Sequence, residues 1–96
     1  MKRKYEVMHR ILRHELSLCR ALTVPEISQL PDYQERHRGK FVVVRWVEKT
    51  EQGSYKIVVQ VFLRHCLGMS TCDAGGIFRG NTESRDLEFY EYAEYR

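Results

Sequence analysis

Lys40-Phe41-Val42-Val43-Val44-Arg45-Trp46-Val47-Glu48-Lys49-Thr50-Glu51-Gln52-Gly53-Ser54-Tyr55-Lys56-Ile57-Val58-Val59-Gln60-Val61-Phe62-Leu63 decides how the rest of the chain is read. Two apolar runs, Phe41 to Val47 and Tyr55 to Leu63, flank a polar turn. Both are dense in the β-branched and aromatic residues that suit a pleated, half-buried surface. Gly53 stands where a short loop needs positive φ, so the stretch reads as one long β-hairpin. With Glu51-Gln52-Gly53 as the loop, Phe41, Val43, Arg45, Val47 and Lys49 face Leu63, Val61, Val59, Ile57 and Tyr55 in turn. On the other face Val42 pairs with Phe62, Val44 with Gln60, Trp46 with Val58 and Glu48 with Lys56. The last pair, of opposite charge, supports the register by about 0.2–1 kcal/mol.

This register makes both faces apolar. Val42, Val44, Trp46, Val58 and Phe62 would stand in water if one helix covered only the other side. Either the sheet curls around a helix or a second copy packs on the open face, and a homodimer through the sheet is the expected partner. Arg45 breaks the first face, and a buried arginine is costly unless paired. It is expected to meet Glu88, Glu91 or an acidic ligand, or to carry its head to the sheet margin. Arg45, Trp46, Val44, Val58 and Phe62 are therefore the ligand or interface candidates, with a pocket expected near Arg45 and Trp46.

Before the hairpin, Tyr5, Met8, Leu12, Leu16, Cys19 and Leu22 recur at spacings of three and four and predict an amphipathic helix from about Lys4 to Leu22. Thr23-Val24-Pro25-Glu26 fits a capping box with proline in the first helical turn, opening a short helix that stops at Pro31. Asp32 to Gly39 is polar and is expected to be a loop. After the hairpin, residues 64–86 are glycine-rich and predicted irregular apart from a short strand near 76–80. Residues 87–95 are predicted to form a last strand, with a C-terminal helix as the alternative.

The fold expected is α+β: the N-terminal helix on a curved antiparallel meander of about four strands, near 39–49, 54–65, 76–80 and 87–95. One helix followed by a curled meander resembles the layout of cystatin-like and NTF2-like rolls. A long helix, a short capped helix and a later hairpin also resemble, loosely, a winged helix-turn-helix domain. That alternative needs a recognition helix between Asp32 and Val47, where β-branched residues and Gly39 oppose one.

A chain of 96 residues, with 43% hydrophobic and 30% charged residues, is expected to form one domain over residues 1–96, without a cleft between domains. The net charge of +3 hides an asymmetry. Lys2, Arg3, Lys4, Arg10, Arg13 and Arg20 against Glu6 and Glu15 give a basic start. Glu83, Asp86, Glu88, Glu91 and Glu94 against Arg85 and Arg96 give an acidic finish. Three cysteines, an odd number, point to free thiols in a reducing compartment, and a cytoplasmic location is expected. No apolar run is long enough for a membrane span, and no membrane partner is expected.

Gly75-Gly76 lacks the lysine and spacing of a phosphate loop. His65, Cys66, Cys72 and Asp73 lie close in sequence but match no two-plus-two zinc pattern, so no metal or cofactor is assigned. Cys19 falls on the helix's apolar stripe and reads as a small buried hydrophobe. No catalytic residue is assigned. Three functions are carried forward. The first is a non-catalytic binding or self-associating domain, with a protein or small-molecule partner. The second is nucleic-acid binding through Arg10, Arg13 and Arg20 with Arg36, Arg38 and Lys40. The third is a small cavity enzyme of a roll-type fold.

Overall fold

The structure, a computed structural model, describes residues 2–64 and 70–95. Its elements in order are α1 (Lys2–Ala21), α2 (Val24–Ser28), β1 (Tyr33–Arg38), β2 (Phe41–Lys49), β3 (Tyr55–Arg64), β4 (Ser70–Arg79), β5 (Ser84–Asp86) and α3 (Phe89–Tyr92). The five strands form an open antiparallel meander in sequence order, with α1 packed across β3 and β4. The chain is thus an α+β protein with an N-terminal helix on an antiparallel sheet. The sheet has five strands rather than four.

The hairpin register is as read from the sequence at all nine pairs, from Phe41 opposite Leu63 to Lys49 opposite Tyr55. Gly53 takes φ +81° and lets Thr50 and Ser54 close the loop with a 2.8 Å backbone bond. α1 buries Met8, Ile11, Leu12, Leu16 and Cys19 against Val43, Ile57, Val59, Val61 and Ile77. α2 opens with the predicted capping box. The Thr23 N–H donates to the Glu26 carboxylate at 2.8 Å, and Thr23 Oγ1 accepts from the Glu26 N–H at 3.3 Å. These bonds hold the Glu26 carboxyl below its usual range.

Three segments depart from expectation. Residues 33–38, read as loop, are strand β1, joined to β2 by a turn with Gly39 at φ +60°. β1 is an edge strand whose side chains are nearly all exposed, so no apolar alternation marks it. Its backbone is set by pairing with β2, as in the Val47 N–H bond to the Asp32 carbonyl at 2.9 Å. This strand occupies the place where a winged helix-turn-helix would need its recognition helix. Second, β4 is a ten-residue strand where irregular chain was expected. Its glycines are close-approach sites: a Cβ on Gly75 would lie 3.1 Å from Leu16 of α1, and one on Gly76 would lie 2.6 Å from Leu87. Third, residues 87–95 do not form a strand. They leave β5, turn through α3 and cross the sheet face opposite α1, where the Leu87 N–H bonds the Gly76 carbonyl at 2.9 Å.

The end of α1 is closed by Arg79 of β4. Its Nη1 donates to the Leu22 and Arg20 carbonyls at 2.6 and 3.0 Å, with Cys19 O at 3.5 Å. Helix C-termini leave their last carbonyls unsatisfied and favour a cation, and a guanidinium meets both needs. Arg79→Met keeps the stem and removes the donors, and should lower stability by about 1.5–3 kcal/mol. Urea denaturation checks this; a loss below about 0.5 kcal/mol would show the clamp to be energetically idle.

Candidate functional site

Strand parity sends Val42, Val44, Trp46, Val58, Gln60 and Phe62 to the face away from α1. The C-terminal segment covers part of this face. Leu87 packs at Gly76, Lys56 Nζ donates to the Glu91 carbonyl at 3.0 Å, and Tyr95 lies against Trp46 with ring centroids 5.8 Å apart. Gln60, only 4% exposed, links the two sides: Trp46 Nε1 donates to its Oε1 at 2.8 Å, and its Nε2 donates to the Tyr95 carbonyl at 2.6 Å. A buried amide with both ends satisfied fixes Trp46 and the segment together. The Tyr95 hydroxyl donates to Glu48, and burial followed by that bond pushes the phenol well above its ordinary range.

Beyond the segment the face stays open as a hollow of about 410 Å³. Val42, Val44 and Phe62 form its floor, and Tyr33 and Trp46, edge-to-face at 4.6 Å, form one wall. Glu35, His37, Gln60, Arg64 and Ser70 complete the lining. Glu35 accepts from the Tyr33 hydroxyl at 2.9 Å and lies 3.3 Å from His37 Nε2, but all three side chains are exposed to solvent. Among the described residues, none desolvates a general base there or sets a nucleophile beside it.

Four of the sequence candidates thus share a face. Val44, Trp46 and Phe62 line the hollow, whereas Val58 has no exposed surface and belongs to the floor beneath the C-terminal segment. Arg45 lies on the α1 side, opposite Val59 and Gln34, so it and Trp46 do not line one pocket. Its Nε is buried without a hydrogen-bond partner among the described residues. Glu88 and Glu91 are not its partners, for they lie with the C-terminal segment. The Arg85 guanidinium binds Glu91 through two 2.9 Å bonds. The carboxylate under α1 is Glu15, 5% exposed, and β1 claims it through Arg36 and, at 3.9 Å, Arg38. Burial raises the nearby Cys19 thiol, with the Arg45 charge working against it.

Tyr33, Glu35 and His37 carry no apolar alternation, so only the pairing of β1 with β2 brings them to this face. Their signal was Gly39-Lys40, a turn that places Tyr33 and His37 on the Trp46 face. The nucleic-acid candidates fall into two groups. Arg36 and Arg38 engage Glu15 from β1, at one edge of the sheet, and Arg20 engages Asp86 of β5, at the other. Arg10, Arg13 and Arg20 line one shallow groove on α1 with Glu6 and Asp86, while Lys40 sits in the exposed β1–β2 turn beside Arg38. They do not form one basic surface. Among the described residues no three His, Cys, Asp or Glu side chains converge as a metal site requires. Cys72 is exposed on β4, and His65 and Cys66 lie outside the described residues. No helix among the described residues is long and apolar enough to cross a membrane.

No protein-family model, no curated protein and no solved structure matches the chain.

Two outcomes follow from these placements. Arg45→Met, which exchanges a buried unsatisfied donor for an apolar chain of similar reach, should leave stability within about 0.5 kcal/mol of the parent or raise it. A loss above about 2 kcal/mol in urea denaturation would mean Arg45 has a strong partner. The second concerns pH. The bidentate Arg85 contact, then the Glu88 N–H, hold the Glu91 carboxyl down to about 2 from 4.5. A depressed carboxyl stabilises fully above 4.5 and loses that contribution as pH falls toward 2. The C-terminal segment should therefore loosen between pH 4.5 and 2, shifting Trp46 emission as Tyr95 leaves it. Glu91→Gln should remove that part of the transition, and an unchanged profile would count against this anchor.

Proposed function

We propose that this protein is a non-catalytic binding domain, and that its binding surface is the hollow left open on the sheet face opposite α1. The observation that carries this reading is a hollow of about 410 Å³ with an apolar floor beside fixed aromatic rings, next to a part of the same face that the chain covers itself. Concave apolar sites with a few polar groups on the rim are the common form of ligand and partner seats.

The occupant proposed is a second copy of the chain. The rim carries a carboxylate on β1, Glu35, and a guanidinium on β3, Arg64, and a two-fold mate would bring each opposite the other's counterpart while Phe62 and Val42 pack across the axis. No cofactor enters this reading, and the free thiols Cys19 and Cys72 fit a cytoplasmic site of action.

The test uses Phe62→Glu rather than a change at Trp46, because Trp46 is bonded to Gln60 and its loss would disturb the fold itself. The parent chain is expected to sediment as a dimer at micromolar concentration. Phe62→Glu should sediment as a folded monomer, with an unchanged far-UV circular dichroism spectrum. A parent chain that is monomeric at hundreds of micromolar, or a Phe62→Glu chain that remains dimeric, would overturn the reading.

A further inference from the structure

The β4 edge is only partly covered. β5 pairs with β4 from Ile77 to Arg79, and the Leu87 N–H bond to Gly76 O is the last in that line. Backbone groups alternate in direction along a strand. Those of Cys72 and Ala74 therefore point to the same side as those of Gly76, and no described strand pairs with them. An open edge of this kind templates another strand.

We propose that this open edge is a strand-addition site for an extended segment of another protein, with acidic and apolar side chains alternating, running antiparallel to β4 in line with β5. The short strand β5 already shows the chemistry this edge accepts. On the α1 side Asp86 is held by Arg20, and on the other side Leu87 packs at Gly76 with 8% exposure.

Both walls continue past the end of β5. Arg13 lies seven residues before Arg20, two turns back along α1 on the same face and so about 10 Å away. A carboxylate opposite Gly75 stands two strand residues, about 7 Å, beyond Asp86, and the length of the arginine side chain spans the difference. Arg13 has no ion pair or hydrogen bond among the described residues, while His9 beyond it is engaged by Asp73 at 3.2 Å. On the opposite face, Phe62, Cys72, Ala74, Phe89 and Tyr92 line a hollow of about 570 Å³. An incoming carboxylate opposite Gly75 meets Arg13, and apolar side chains opposite Ala74 and Cys72 enter the hollow. In the antiparallel sense the order is acidic, apolar, any, apolar.

Charge favours a foreign acidic segment over a second copy here. Two β4 edges paired through Cys72 and Ala74 about a two-fold axis would set Asp73 directly opposite its equivalent, and like charges so placed are unfavourable. This site shares Phe62 with the dimer surface proposed above, but its backbone bonds are those of the β4 edge, and the Arg13 and Ala74 variants do not touch the dimer surface.

The probe is the peptide Asp-Leu-Thr-Phe-Thr, with nothing added before the Asp because Leu87 holds the place opposite Gly76, fluorescein-labelled at its C-terminal end and titrated with the full chain at low salt by anisotropy. Saturable binding is expected, with slowed hydrogen exchange at the Cys72 and Ala74 amides. Arg13→Glu should weaken it about tenfold, and a peptide with Lys for Asp should regain that loss on this variant. Ala74→Pro removes an N–H that faces solvent, a change edge strands tolerate, and should abolish binding with the fold intact. The proposal fails if the Asp peptide does not bind at millimolar concentration, or if the Lys peptide binds the parent chain equally well. Indifference to both Arg13→Glu and Ala74→Pro would also overturn it, as would a dimer of the parent chain that Ala74→Pro dissolves.

Discussion

The structure depends on burying β3 from both sides. Ile57, Val58, Val59 and Val61 have no exposed surface, although antiparallel sheets commonly keep one face wet. Each such side chain contributes about 1.5–3 kcal/mol when fully withdrawn from water, so both faces of this strand need cover. On one side α1 supplies it with Met8, Leu12 and Leu16. The other side has no long helix, and the cover is residues 87–95, held by Leu87 at one end and Tyr95 at the other. Polar bonds add to its apolar contacts: Lys56 to the Glu91 carbonyl, Gln60 to the Tyr95 carbonyl, and Arg85 to Glu91. The hollow at Val42, Val44 and Phe62 is the area this cover does not reach.

How far the fold was legible follows from where side chains touch apolar neighbours. The β2–β3 hairpin was readable to the residue because both strands are apolar and Gly53 marks the loop. α1 was readable from its stripe, and α2 from Thr23 and Glu26. β1 was not, since an exposed edge strand is free to carry Gln34, Glu35, Arg36 and His37, and only its backbone partner makes it a strand. β4 was hidden by the inverse effect. Gly75 and Gly76 weaken a strand in isolation, yet a Cβ at Gly76 would meet the Ile57 carbonyl at 2.9 Å as well as Leu87, and one at Gly75 would press on Leu16. Residues 87–95 have the aromatic content of a strand but follow Leu87 off the edge, and the Glu88 N–H bond to the Glu91 carboxylate turns them into α3.

For the candidate site, parity alone separated Trp46 from Arg45 and grouped Val44, Trp46 and Phe62. It could not show that Val58 would lie beneath a returning terminus, nor that Tyr33 would wall the hollow from an unrecognised strand. The polar layer under α1 was equally hidden. Glu15 reads as a surface residue that tempers a basic helix, and its burial makes sense only once Arg36 and Arg38 are on a strand beside it. With that carboxylate engaged, Arg45 is left facing the core with its Nε unanswered.

The C-terminal segment also acts as a ligand that the protein carries on its own chain. A group tethered by a short link presents itself at an effective concentration of order millimolar, whatever the amount of protein in solution. Any molecule that sought the whole face would have to outcompete Tyr95 and Leu87 at that concentration, and a micromolar partner of ordinary affinity would not. Competition of this kind selects occupants that fit beside the tether. The terminus thereby sets the size of what the domain can hold as well as covering its core.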